Sequence, residues 1–273
     1  MRSLEHYQNT DLSLAYAKQG SGPVVIFMHG IGGNRSNWDE QQTELANNYC
    51  TIAWDARGYG DSDDPSPTLK FSDFADDLNA LLDHLGVLRA HLVGLSMGGY
   101  IAQDFYGTYP ERVATLTLAD TSQGFGTADE AAREDFLARR LAPLESGLTP
   151  ADIAPKMIDV LAGPKATEEV RQRLIDSVSS VRTGAYIQAL KATVTTDFSK
   201  VLPSIEAPTL IIVGSEDKVL PPEESQILAD AIPGAELVTI EDAGHLSNVE
   251  FPDRFNSLLR EFLDRHATLA DTL

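Results

Sequence analysis

Cysteine is almost absent from this chain of 273 residues: Cys50 stands alone. A single thiol excludes an internal disulfide and fits a reducing compartment. Because Cys50 opens the apolar run "CTIAWD", it reads as a core residue rather than a chemical one. Long hydrophobic runs are also missing. None approaches the ~18 residues that a membrane-spanning helix needs, and the opening "MRSLEHYQNT" lacks the apolar stretch of a signal peptide. Cytoplasmic residence is the expectation. Basic charge is scarce as well: 21 lysines and arginines stand against 41 aspartates and glutamates, a formal charge of −20. A surface of that sign repels phosphate backbones and anionic lipid, so neither nucleic acid nor membrane is expected as a partner. No histidine–cysteine cluster has ligand spacing, and no dinucleotide fingerprint accompanies a strand-like run. The expectation is therefore a protein without metal or cofactor.

What is present is alternation. Hydrophobic residues make up 42% of the chain, enough for a large core and too many for disorder. The length fits one large α/β domain or a core with a smaller insertion. "VVIFMHG", from Val24 to Gly30, is a continuous apolar run rich in β-branched residues, the mark of a strand buried on both faces. "TIAWD", "HLVGL", "VATLTLAD", "TLIIVG" and "ELVTIE" repeat that character. Between them Phe74, Leu78, Leu81, Leu82 and Leu85 recur at helical spacing, with Gly86 as a stop. Leu258, Leu259, Phe262 and Leu263 mark a terminal helix. Strands alternating with helices predict a mostly parallel sheet covered by helices on both faces. Residues 123–200 break the rhythm: they read as several helices separated by "LTP", "AGP" and "RTG". Residues 1–122 and 201–273 are thus expected to form one core, with 123–200 inserted as a helical cap.

Within "HLVGLSMGGY" three glycines, Gly94, Gly98 and Gly99, crowd around Ser96. The pattern is G-x-S-x-G, with a strand before it and a helix after it. At such an elbow the serine takes a strained backbone geometry, and its neighbours must be small for the turn to close. The helix that follows aims its N-terminal N–H groups at the place where negative charge would develop. Serine is a weak nucleophile and needs a base held by an acid. "DAGHLSNVE" supplies His245 in a polar loop before the terminal helix, and "GSEDKVLPP" supplies Asp217 just past a strand. All three lie at the carboxyl ends of parallel strands, where open α/β sheets form their crevice.

With these motifs the chain resembles the α/β-hydrolase superfamily over nearly its whole length. "HGIGG", from His29 to Gly33, is similar to the family's oxyanion loop, "DARGYGDSD" to its turn after a strand, and "GLSMGG" to its nucleophile elbow. The resemblance implies a Ser96–His245–Asp217 triad, with the main-chain N–H groups of Ile31 and Met97 as oxyanion hole. "GLSMGG", "PERV", "GSEDKVLPP" and "AGHLSNVE" together look most like 3-oxoadipate enol-lactonases and related small esterases. The function so implied is hydrolysis of a carboxylic ester or lactone, enol-lactones included, through an acyl-enzyme. A carbon–carbon bond hydrolase acting on a vinylogous diketone uses the same triad and is the rival reading, although that group often has tryptophan after its histidine where Leu246 stands here. A ligand-binding receptor of the same fold is the non-enzyme alternative. Aspartate-nucleophile relatives, which cleave halides and epoxides, are disfavoured by the serine.

Other residues compete for roles. His29 is expected to shape its loop through hydrogen bonds, His84 to sit at a surface or edge, and His6, His91 and His266 to take no part. Asp120 ends the strand "VATLTLAD", from which some members supply their acid. Asp55 and Arg57 are expected to brace the "DARGYGDS" turn locally. Trp38 either lines the substrate pocket or anchors the next helix in the core. Arg35 is expected to be a solvated loop residue rather than a substrate contact. The arginines of "REDFLARR" and "VRQRL" are expected to pair with acidic neighbours, but one turned inward would receive a carboxylate.

Overall fold

The structure is a computed structural model that describes residues 3–9, 12–65, 68–126 and 128–273. The apolar runs form strands β3 (Val24–Met28), β4 (Cys50–Trp54), β5 (Ala90–Leu95), β6 (Val113–Ala119), β7 (Thr209–Gly214) and β8 (Glu236–Ile240). Two more strands, β1 (Ser3–Asn9) and β2 (Leu12–Gln19), precede them. All join one sheet of eight strands in the order β1-β2-β4-β3-β5-β6-β7-β8. β2 runs antiparallel to β1 and to β4, and every other neighbouring pair is parallel.

Period-two alternation assigns the two faces of the sheet. Val24, Ile26 and Met28 of β3 face helices α2 (Ser72–Leu85), α3 (Met97–Thr108) and α8 (Pro222–Ala231) through Phe74, Leu78, Ile101, Phe105 and Leu228. Val25 and Phe27 face the other way, toward Leu45 of α1 (Asp39–Leu45) and Phe255, Leu259 and Phe262 of α10 (Pro252–His266). Both faces being apolar explains the unbroken hydrophobicity of the central strands. α2 ends where Gly86 takes φ 70°, a left-handed cap that glycine adopts without strain.

β8 differs from its reading as a buried strand. It is the sheet's edge, with Glu236 and Thr239 exposed and only Ile240 buried. Having one neighbour and partial helix cover, it needs less apolar surface than β3 or β7.

Among the described residues four α-helices lie between β6 and β7: α4 (Glu130–Glu145), α5 (Pro150–Leu161), α6 (Glu168–Ser179) and α7 (Thr183–Thr193). Asp129, Thr149 and Thr167 begin the first three by accepting a hydrogen bond from an N–H of the first turn. Side chains tie this segment to loops at the sheet's carboxyl edge. Arg173 of α6 holds Glu40 and the Ser36 carbonyl, and Arg182, just before α7, donates to the Gly60 and Ser62 carbonyls.

Candidate active site

Ser96 stands between the last residue of β5 and the first of α3, with φ 54° and ψ −117°. A non-glycine residue rarely adopts such a conformation, and here the packing enforces it. A Cβ on Gly94 would lie 2.2 Å from the Gly98 carbonyl oxygen, and one on Gly98 would lie 2.1 Å from the Met28 carbonyl oxygen. Only glycine fits either place, because the obstacles are backbone. Ser96 N–H donates to the Ala119 carbonyl at 2.9 Å, and Thr121 Oγ1 donates to the Ser96 carbonyl at 2.9 Å, so β6 fixes the turn from beside it.

His245 lies in the loop between β8 and the one-turn helix α9 (Ser247–Glu250). Its Nε2 is 3.0 Å from Ser96 Oγ, and its Nδ1 is 2.7 Å from Asp217 Oδ2. The other oxygen of Asp217 accepts the N–H groups of Val219 and Leu220 at 2.8 and 3.0 Å, which aims the carboxylate. Burial pulls the imidazole pKa down. The charge and hydrogen bond of Asp217, with Asp120 and Glu250 behind, outweigh that and hold it above its ordinary 6.5.

Asp120 is fully buried and makes no hydrogen bond to the imidazole. Its Oδ1 accepts the Gly214 N–H at 2.9 Å, while Oδ2 accepts the Ser247 N–H at 3.1 Å and the Ser247 hydroxyl at 2.7 Å. It thereby joins the ends of β6 and β7 to the start of α9. Burial, and then the negative charge of Asp217, raise its pKa.

Ile31 and Met97 flank Ser96 on a common cavity wall, and neither main-chain N–H has an acceptor among the described residues. The "HGIGG" loop comes this close because Gly30 has no side chain: a Cβ there would lie 3.1 Å from Ser96 Cβ. His29 fastens the loop from behind. Its Nε2 accepts the Ala56 N–H at 3.1 Å, which leaves Nδ1 to donate to the Gly30 carbonyl at 2.8 Å.

The cavity in front of Ser96 has a volume of about 430 Å³, the size of a small-molecule site. Its floor comes from the sheet's carboxyl edge and its roof from α4 to α7, through residues such as Phe136, Met157, Val178 and Tyr186. Trp38 borders it, yet the indole is 0% exposed and packs against Phe27 and Phe255 at centroid distances of 5.0 and 6.0 Å. Trp38 is thus a core anchor with one edge on the cavity.

Some expected neighbours sit elsewhere. Arg35 is not a solvated loop residue: its guanidinium pairs with Asp55 and Asp61, and its main-chain N–H donates to Asp55 at 2.8 Å. Arg57 reaches beyond its own turn to grip Asp77 of α2 with Nε at 2.6 Å and Nη2 at 2.7 Å. A buried aspartate on a helix face attracts it there, a contact that local sequence does not reveal. Glu250 carried no expectation either. Its carboxylate accepts the N–H groups of Gly163, Gly244 and Leu246 at 2.8, 3.2 and 3.3 Å, and the His245 N–H donates to the Leu161 carbonyl at 2.7 Å. The loop bearing His245 is therefore sewn to the end of α5. The signal available was position: Glu250 lies one helical turn past the loop in "GHLSNVE".

Among the described residues no group of three or more His, Cys, Asp or Glu side chains is placed to hold a metal, and no helix is long and apolar enough to cross a membrane.

The sequence pattern of the family described as alpha/beta hydrolase fold matches residues 23–252. A 3-oxoadipate enol-lactonase of Acinetobacter baylyi is 30% identical over 267 residues, covering 95% of this chain and 98% of that protein. A 2-hydroxy-6-oxononadienedioate/2-hydroxy-6-oxononatrienedioate hydrolase of Paraburkholderia phymatum is 32% identical, covering 93% of this chain and 92% of its own. Among solved structures, a thermophilic esterase from Thermogutta terrifontis with malate bound superposes with a TM-score of 0.86 at 33% identity, covering 97% of this chain and 99% of that one.

Proposed function

Given that the chain belongs to the α/β-hydrolase family, we propose that it hydrolyses a carboxylic ester or lactone through an acyl-enzyme on Ser96. The observation that carries this reading is the unbroken run of hydrogen-bond contacts from Asp217 Oδ2 through His245 to Ser96 Oγ, at 2.7 and 3.0 Å. In that arrangement Asp217 accepts a hydrogen bond from Nδ1–H and leaves Nε2 free as the base. Ser96 Oγ attacks the carbonyl carbon as its proton passes to Nε2. The Ile31 and Met97 N–H groups receive the developing oxyanion, for which their lack of other acceptors suits them. His245 returns the proton to the leaving alcohol, then takes one from the water that releases the acid. Residues 123–200 act as the cap that bounds substrate size and excludes solvent.

The similarity to an enol-lactonase supports a lactone among the substrates. A second reading, carbon–carbon cleavage of a vinylogous diketone, draws support from the 32% identical relative. Leu246 following His245 favours the ester or lactone. In the test, Ser96→Ala is expected to lower kcat on a simple ester on the order of 10³-fold or more and to abolish labelling by a fluorophosphonate. Near wild-type turnover by Ser96→Ala would overturn the nucleophile. Faster cleavage of a diketone than of any ester or lactone would move the reaction to carbon–carbon bonds.

A further inference from the structure

The cavity wall differs from the rest of the molecule in charge. Acidic residues outnumber basic ones by 41 to 21 in the chain, yet Arg139, Arg140 and Lys156 border the cavity and no aspartate or glutamate does. Arg139 and Lys156 are exposed at the mouth, and Arg139 pairs with Asp135 one turn back along α4. Arg140 is half-buried, and its guanidinium carbon stands 3.5 Å from the centre of the Phe136 ring. Among the described residues it has neither an ion pair nor a hydrogen bond. Other arginines of the same segment are occupied: Arg171, Arg173 and Arg182 each meet a carboxylate, and Arg133 donates to the Phe125 carbonyl. Burial lowers the Arg140 pKa, the charge of Arg139 lowers it further, and no carboxylate stands among the groups that act on it.

A half-buried cation with no counter-ion gives up part of its hydration, and an anion brought by a ligand offsets that loss. Cation–π attraction to the Phe136 ring holds the guanidinium in place, and its N–H groups, bonded to no described residue, are free to fork onto two oxygens. We propose that Arg140 is the anion receptor of this cavity, and that the substrates are esters or lactones carrying a carboxylate on the acyl part. The proposal rests on the ester-hydrolysis reading above. For an ester the acyl side follows from the two-step chemistry: only the acyl part remains on Ser96 after the alcohol leaves, so only there does a receptor act on both acylation and deacylation. A lactone keeps its alcohol tethered to the acyl group, so its carboxylate stays within reach through both steps. The remaining wall, with Phe125, Met157, Leu190 and Val219, suits an apolar spacer between the two ends.

The test compares the monomethyl esters of succinate, glutarate, adipate and suberate with their dimethyl esters, using proton release to obtain kcat/KM. The small methanol leaving group keeps the acyl chain as the variable. For at least one chain length the monoester should exceed the diester on the order of 10-fold or more, and Arg140→Gln should reduce that ratio by a similar factor. Arg140→Lys should keep part of it, since charge remains while the fork is lost. Arg265→Gln, which removes an ion pair outside the cavity, should leave it as it was. A diester preferred at every length, or a ratio unmoved in an Arg140→Gln protein of wild-type Tm, would overturn the proposal. Calorimetry on Ser96→Ala separates the receptor from the chemistry. Tighter binding of a monoester than of its diester, lost when Arg140→Gln is added, supports the receptor even if no ester is turned over. Equal binding overturns it even if ester hydrolysis stands.

Discussion

Two buried aspartates stand close to His245, and only Asp217 bonds to its ring. Asp217→Asn is expected to lower kcat on the order of 10³- to 10⁴-fold, because an amide at that place favours the wrong imidazole tautomer. Asp120→Asn should act mainly on stability. Both oxygens of Asp120 accept hydrogen bonds, so an amide turns an NH₂ toward a donor at a cost of about 1–3 kcal/mol. Denaturant unfolding and steady-state kinetics on the two variants give the ranking, and a reversed ranking would hand the role of acid to Asp120. The pH profile carries a linked expectation. The base must be neutral to accept a proton, so a pKa held above 6.5 places the rising limb of kcat/KM above that pH. Asp120 contributes to holding it there, after Asp217, so Asp120→Asn should move the limb to lower pH; an unmoved limb would remove Asp120 from the electrostatics of the site. Ser96, Asp217 and His245 are legible in the sequence because each lies within a few residues of a strand end, among small or polar neighbours. Arg57 and Arg35 are not, since their partners are chosen by folding: Asp77 for the first, Asp55 and Asp61 for the second. Trp38 was divided between pocket and core by the sequence, and its ring turns out to serve as both.

Among the elements, the elbow between β5 and α3 is closed by backbone on two sides, and that makes it testable. Gly98→Ala would drive a methyl group to 2.1 Å from the Met28 carbonyl oxygen, with strand β3 behind it unable to yield. A loss of more than about 2 kcal/mol in unfolding free energy is expected, together with loss of activity. Gly184→Ala is the contrast. It lies in the first turn of α7, its φ is not positive, and nothing stands within 4 Å of the added Cβ. It should gain about 0.5–1 kcal/mol; equal effects of the two alanines would mean that the crowding at the elbow is not what selects glycine there. The central strands could be read because burial on both faces leaves them uniformly apolar. β1 and β2 could not, since an antiparallel hairpin at the sheet margin mixes polar and apolar residues over short distances. The helices of 130–193 were legible as helical stretches between "LTP", "AGP" and "RTG", but their seating over Ser96 depends on distant contacts such as Glu250 to Gly163 and Arg173 to Glu40.

Over the whole molecule the decisive quantity is the formal charge of −20, set against a cavity bordered by three cations. The two act at different ranges. The net charge repels an approaching carboxylate from many ångströms away, and salt screens it with a Debye length of about 10 Å at 0.1 M. The Arg140 contact is made inside the cavity at hydrogen-bond distance, where mobile ions intervene little. Raising ionic strength from a few millimolar to about 0.15 M should therefore increase kcat/KM for a monomethyl dicarboxylate several-fold, by lifting the long-range barrier to encounter. The dimethyl ester, which feels neither field, should change little. In Arg140→Gln the same rise should persist at a lower level, because the distant charges are untouched while the receptor is gone. A fall with salt in the wild type would mean that Arg139 and Lys156 at the mouth draw the anion in more strongly than the body of the protein repels it. Electrostatic steering by the cavity rim would then replace global repulsion as the term that governs approach.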